Sequence, residues 1–213
     1  MKIISILNQK GGVGKTTLAT NIATKLQRDG EKVLLVDADR QGSARDWYSR
    51  GVLTDADILG LTVITLDKPT LDVEIKKVSG KFDWVIIDGP PRLEDMVKAA
   101  IRCSELIIIP VTPSPYDVWA IEELYKLIKP YEEEERLKTY FCISRVIPNT
   151  VISNEVIQAM KDYENISLLQ PQTFQRISYV VSAKEGQTVF DTKDEKAKQE
   201  ITDIVNEIRE IMK

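Results

Sequence analysis

Histidine is absent from all 213 residues. That removes histidine general bases and the commonest zinc ligand. Cysteine occurs only at Cys103 and Cys142, which fits a reducing compartment. Long apolar runs are also missing. The longest are short, such as LIII at 106–109, and a bilayer-spanning helix needs about 20 apolar residues. The N-terminal stretch MKIISILNQK has an apolar run too short for a signal peptide, and it leads directly into a glycine-rich loop. A strand is expected there, and a cytoplasmic protein. A strong excess of one charge is lacking too, since 29 basic and 33 acidic residues leave a net −4. This argues against a surface that coats nucleic acid throughout, but leaves room for a local basic patch.

What is present is the composition of an ordinary soluble globular protein, 43% hydrophobic and 29% charged. The length suits one large domain or two small ones and is enough to bury a core. Short apolar runs alternate with helical periodicity. Residues 3–7 form the first run. Leu18, Ile22 and Leu26 then recur at helical spacing, and Gly30 offers a stop. VLLV (33–36) follows and leads to Asp37 and Asp39, WVIID (84–88) closes in Asp88, and ELIIIPVTP (105–113) and YFCIS (140–144) are two more runs. Strands this uniformly apolar are buried on both faces, which predicts an α/β fold with a mostly parallel central sheet and helices on both sides. Polar residues gather at the strands' carboxyl ends, where open α/β sheets bind ligands. In 195–213, Ile201, Ile204, Val205, Ile208 and Ile211 share a helical face. The run EEEE at 132–135 reads as a solvated helix end or turn. No linker or repeat interrupts the chain, so 1–213 is expected to be a single domain.

The stretch NQKGGVGKTT (8–17) nearly matches the phosphate-loop pattern G-x-x-x-x-G-K-[ST]. Gln9 stands where the first glycine belongs, and a second lysine, Lys10, follows it. In such a loop the backbone N–H groups and the positive end of the next helix cradle phosphates. Gly11, Gly12, Val13 and Gly14 supply that backbone, Lys15 reaches the β- and γ-phosphates, the Thr16 hydroxyl binds Mg²⁺, and Thr17 donates to the α-phosphate. An aspartate at a strand end beside such a loop holds Mg²⁺, directly or through water, so Asp88 joins Thr16, with Asp37, as the expected metal side. Phosphoryl transfer also needs a group to polarise the attacking water. With no histidine, a carboxylate is the natural choice, and Asp39 is the candidate. The alternative for Asp39 is a helix N-cap ahead of residues 40–48.

These residues resemble the ParA/MinD superfamily of ATPases. KGGVGKTT is similar to that family's deviant phosphate loop, with Lys10 on its signature lysine. LLVDADRQGSARDW resembles its switch segment, VIIDGPP its second Mg²⁺ motif, and IIIPVTPSPYDVWA and FQRISYVVSAKEGQTVFD later segments of the short, plasmid-type ParA proteins. The sequence opens at the first expected strand, so a form without the N-terminal DNA-reading domain of longer ParA proteins is expected. Arg40 departs from the family's usual proline, a change that can loosen the switch or add a positive charge near the nucleotide and so bears on water activation by Asp39. The resemblance implies a P-loop ATPase using ATP and Mg²⁺. It implies a homodimer in the ATP state, with Lys10 reaching across to the partner's phosphates. It further implies non-specific duplex DNA binding, nucleoid association, and a ParB- or ParG-like adaptor that stimulates slow hydrolysis, so that plasmid or chromosome cargo is segregated. Arg145 and Pro171 fall where family members hold the adenine base. Arg176, Lys184, Lys193, Lys196, Lys198, Arg209 and Lys213 are the candidate DNA contacts, interleaved with Asp191, Asp194, Glu195 and Glu200.

Three rivals share these motifs. A MinD-like membrane switch would end in a basic amphipathic helix, whereas ITDIVNEIREIMK carries Asp203, Glu207 and Glu210 and reads as a helix packed on the domain. An iron–sulfur reductase of the superfamily would use two cysteines per subunit, but Cys103 precedes a strand and Cys142 lies inside one, which suits buried structural thiols. The third rival positions a protein assembly, such as a microcompartment or receptor array, and differs only in its adaptor.

Overall fold

The computed structural model describes the chain except residues 55, 57, 59, 79, 92–93, 132–136, 149–150, 162 and 164, and describes residues 115–120 and 151–154 by backbone alone. The acidic run at 132–135 therefore lies outside the described residues. The expected apolar runs are the strands β1 (Lys2–Ile6), β2 (Val33–Asp37), β4 (Trp84–Asp88), β5 (Leu106–Val111) and β6 (Lys138–Ile143). Every residue of β2, β4 and β5 is buried, as strands covered on both faces require. Two short strands escape the sequence pattern, β3 (Thr62–Thr65) and β7 (Ser167–Leu168). They are the two edges of the sheet, whose order is β3-β2-β4-β1-β5-β6-β7. An edge strand is covered less completely, so β3 is only partly buried and carries no continuous apolar run. All described strand pairs are parallel.

Parallel strands need crossover connections, and helices supply them. These are α1 (Lys15–Arg28), α2 (Ser43–Leu53), α3 (Leu71–Lys77), α4 (Glu94–Cys103), α5 (Pro115–Ile128), α6 (Val151–Met160), α7 (Ile177–Lys184) and α8 (Glu195–Ile211). Alternate side chains of each strand face opposite sides. Ile4 and Ile6 of β1 join Leu18 and Ile22 of α1, Trp47 of α2 and Ile201, Ile204, Val205 and Ile208 of α8 in one apolar layer. Ile3 and Leu7 join Leu71 and Ile75 of α3, Met96 and Ile101 of α4 and Leu124 of α5 in the other. Each such side chain fully buried contributes roughly 1.5–3 kcal/mol before the entropy of ordering is set against it. Trapping β1 between two layers fixes the direction in which the following loop leaves the sheet.

The α8 stripe is thus spent inside the domain, except for Ile211, which is partly buried. Both cysteines are buried. Burial raises the Cys142 thiol to about 12, so it stays protonated and unreactive. Among the described residues no group of three or more cysteine, aspartate or glutamate side chains is arranged to hold a metal through protein ligands alone. No described helix is long and apolar enough to cross a membrane.

Candidate active site

The carboxyl ends of β1, β2 and β4 meet at the centre of the sheet, and the charged residues meet there with them. β1 delivers the chain to Asn8, which is buried. Its amide donates to the Pro110 carbonyl of β5 at 2.8 Å and accepts the Lys10 N–H at 2.9 Å, so the side chain ties the start of the loop to the neighbouring strand. The chain then turns through Gly12 (φ 79°) and Gly14 (φ 98°), conformations costly for any side-chain-bearing residue. Gly14 is also the N-cap of α1, which aims the helix's free N–H groups at the loop. Lys15, buried in the first turn, donates from Nζ to the Lys10 carbonyl at 2.9 Å. Burial lowers its pKa, and the nearby carboxylates of Asp88 and Asp39 oppose that shift.

Asp37 and Asp88 end adjacent parallel strands in direct register, which points their side chains the same way. Both are buried. Burial raises the pKa of Asp37, against its hydrogen bonds from backbone N–H groups. Asp88 rises to about 7: burial is the main cause and Asp37 adds repulsion, while the Thr16 hydroxyl bond and Lys15 pull the other way. The Thr16 hydroxyl donates to Asp88 Oδ2 at 2.7 Å. Asp88 Oδ1 is buried without a hydrogen-bond partner among the described residues. A hydroxyl and a carboxylate side by side, with one carboxylate oxygen unused in a buried position, are the hard oxygen donors Mg²⁺ takes. Thr16 and Asp88 therefore fit the metal predicted for them.

Asp37, the other carboxylate expected on the metal side, is hydrogen-bonded by backbone N–H groups. Its Oδ1 accepts the Asp39 N–H at 3.1 Å and its Oδ2 the Arg45 N–H at 2.8 Å, so it holds the segment carrying Asp39 against the site. Asp39 is not a helix cap. α2 starts at Ser43 with Gly42 as N-cap, and Asp39 Oδ1 instead accepts the Gln41 N–H at 3.0 Å. This local turn leaves Asp39 half-buried and close enough to Lys15 and Asp88 for their charges to interact. Lys10 is half-buried beside the exposed Gly11 and Gly12, at the rim of the site.

The remaining candidates separate. Arg145 lies next to the loop, its guanidinium donating to the Gly12 carbonyl at 2.7 Å. Pro171 lies further round the sheet edge, in a cavity of ≈ 330 Å³ shared with Arg176, Lys196 and Glu200. Arg176 is engaged by Glu200 at 2.6 Å and Asp194 at 3.9 Å, Lys198 by Glu195, Arg209 by Asp29 and Glu31, and Lys213 by Glu210. Lys184, Lys193 and Lys196 are exposed, and no ion pair is seen for them among the described residues. Thr17, in the first turn of α1, has its carbonyl bonded to Asn21 Nδ2 at 2.8 Å. Two polar residues that build the site carry no motif: Asn8, and Ser144 at the end of β6, whose buried hydroxyl donates to the Val13 carbonyl at 2.7 Å. The signal for both was a polar residue directly after an apolar strand.

Comparison with known proteins agrees with this geometry. Residues 4–189 match the CobQ/CobB/MinD/ParA nucleotide binding domain. The chain is 30% identical over 202 residues to the maintenance of carboxysome distribution protein A of Gloeobacter kilaueensis, covering 93% of this chain and 88% of that protein. It is 30% identical over 203 residues to the sporulation initiation inhibitor protein Soj of Bacillus subtilis, covering 76% of this chain and 79% of that one. Among solved structures, apo McdA from Cyanothece superposes with a TM-score of 0.80 at 20% identity, over 97% of this chain and 98% of the other, a likeness of fold.

Proposed function

This chain belongs to the CobQ/CobB/MinD/ParA nucleotide-binding family and is a ParA-type ATPase working with ATP and Mg²⁺, and from that premise we propose that it is a switch that positions a protein assembly. The observation that carries the cargo reading is the match to a carboxysome distribution protein along nearly the whole of both chains. In the proposed cycle Lys15 and the loop N–H groups grip the phosphates. Thr16 and Asp88 hold Mg²⁺, which neutralises phosphate charge when bound. Asp39 orients the attacking water. Lys10 reaches from the rim to the phosphates of a second copy, so that ATP binding and dimerisation become one event. A cation set against developing phosphate charge lowers the barrier as an arginine finger does elsewhere.

The dimer then binds duplex DNA without sequence preference, and an adaptor protein on the cargo stimulates hydrolysis and release. Lys184, Lys193 and Lys196 are the cations best placed for phosphate contact, because no carboxylate among the described residues pairs with them. The adaptor needs a surface of its own. α7 exposes Ile177 (80%), Val180 (70%) and Val181 (54%) at i, i+3 and i+4, one helical stripe of the kind a protein partner covers. Partition of a plasmid or chromosome is the second reading, favoured by 34% identity over 156 residues to the chromosome-partitioning ATPase Soj of Thermus thermophilus.

Two experiments test this. Duplex DNA of arbitrary sequence is titrated with wild type and Lys10→Ala, with ATP, ADP or no nucleotide. Binding only by wild type with ATP, weakening steeply with salt, supports the switch, and binding in none of these states removes the DNA track. For the cargo, Asp39→Ala is cross-linked with Mg–ATP in its own cells. Recovery of an adaptor bound to a protein shell supports the assembly reading, whereas an adaptor bound to one DNA locus favours partition.

A further inference from the structure

The end of β6 touches the phosphate loop twice, across more than 130 residues of sequence. Ser144 is 1% exposed, its N–H is fixed to the Val111 carbonyl at 2.8 Å, and its hydroxyl donates to the Val13 carbonyl at 2.7 Å. Arg145 follows with φ 58°, the one non-glycine residue with positive φ among those described. That conformation costs roughly 1–3 kcal/mol and persists only where the surroundings impose it. Here they do so from two sides: the Arg145 N–H donates to Thr173 Oγ1 at 3.3 Å, and the guanidinium to the Gly12 carbonyl at 2.7 Å. Two successive loop carbonyls are therefore pulled toward β6.

A trans peptide is planar, with its C=O and N–H pointing in opposite directions. The peptide whose carbonyl belongs to Val13 carries the Gly14 N–H, and the one whose carbonyl belongs to Gly12 carries the Val13 N–H. Drawing both carbonyls toward Ser144 and Arg145 turns both N–H groups the other way. We propose that Ser144 and Arg145 are positioning residues that set the Gly14 and Val13 N–H groups toward the nucleotide's phosphates. The inference rests on the nucleotide-binding reading and assigns Arg145 to the loop in place of the adenine base. It divides the labour: Ser144 governs the Gly14 N–H and Arg145 the Val13 N–H.

The test follows backbone amide signals by NMR while Mg–ADP is titrated into wild type, Ser144→Ala, Ser144→Thr and Arg145→Gly. Glycine accepts φ 58° freely, so Arg145→Gly removes the guanidinium without backbone strain. In wild type the amide protons of Val13 and Gly14 shift downfield as they meet phosphate. The expected result is a weakened Gly14 response with an intact Val13 response in Ser144→Ala, the reverse in Arg145→Gly, and recovery in Ser144→Thr. ADP affinity falls about fivefold in each truncating variant, the size of one net hydrogen bond. A merely structural role would weaken binding without this selectivity, and identical Val13 and Gly14 responses in all four proteins overturn the inference alone. Failure of wild type to bind ADP overturns both it and the nucleotide-binding reading.

Discussion

Asp88 shows how one residue can serve stability and function in opposite senses. It is buried, faces Asp37, and has a pKa near 7. A carboxyl with a folded pKa above its unfolded value takes up a proton on folding. The stability it contributes is fully present below pH ~4 and is lost as the pH rises through about 7. Without Mg²⁺ and nucleotide, Asp88→Asn should therefore be more stable than wild type at pH 8, by a few kcal/mol, with the gap closing toward pH 4. Thermal melts across that range decide it, and a gap that widens toward low pH would contradict the sign. The same variant loses the carboxylate that fits Mg²⁺, so hydrolysis should fall even as stability rises. For Asp39, whose turn leaves it half-buried beside Lys15, the expectation is different. Asp39→Ala should bind ATP, accumulate as an ATP-bound dimer and hydrolyse at least 100-fold more slowly, the usual scale for a proton-transfer or water-orienting group. Unchanged turnover would remove Asp39 from the chemistry.

At the scale of elements, the contact between α2 and the turn after α7 ties the Asp39 segment to the rest of the domain. Trp47 Nε1 donates to the Gln187 carbonyl at 2.9 Å, and Thr54 Oγ1 to the Glu185 carbonyl at 2.8 Å. The two backbones meet at glycines. Gly186 has φ 68°, and a Cβ there would lie 2.0 Å from the Gly51 nitrogen. Gly186→Ala must push α2 away and strain its own backbone, at a cost of about 2–4 kcal/mol. A melting temperature lower by roughly 5–15 °C is expected, and a drop under 2 °C would show that the helix yields freely. α7 is tied on its other side through Glu200, which accepts from Tyr179 OH at 2.9 Å and Arg176 Nε at 2.6 Å. The exposed stripe of α7 thus sits on a helix braced at both ends, one brace leading to the segment that carries Asp39.

At the scale of the whole molecule, one chain brings together every residue of the proposed active site except the cation proposed to come from a second. Lys15 lies inside the loop and Lys10 at its rim, and a substitution separates their roles. Lys15→Ala should lose ATP binding by calorimetry. Lys10→Ala should keep ATP binding within a few-fold but form no ATP-dependent dimer by light scattering. Normal dimerisation of Lys10→Ala would refute its reach into a partner. α8 frames what the surface offers, because Ile201, Ile204, Val205 and Ile208 are buried in the core. That leaves the helix's charged side outward and its apolar side unavailable to lipid.

The sequence by itself determined the layered α/β fold, the phosphate loop and the carboxylates. Each is written in contiguous residues: a buried parallel strand needs an unbroken apolar run, and a phosphate loop needs its glycines, lysine and threonine in a row. WVIID coincides with β4, and Gly14, Lys15 and Thr16 stand where the pattern puts them. The alternative of Asp39 as a helix cap falls away, because α2 starts at Ser43 and Asp39 closes a turn through Gln41 instead. The tertiary structure alone decided which charges are already neutralised, as Arg176 and Arg209 are. It also brought Asn8 to Pro110, 102 residues away, and Ser144 to Val13, 131 residues away. A hydrogen bond is selected by the position of its acceptor in space, and a lone polar residue at a strand end carries no record of which distant carbonyl it will meet.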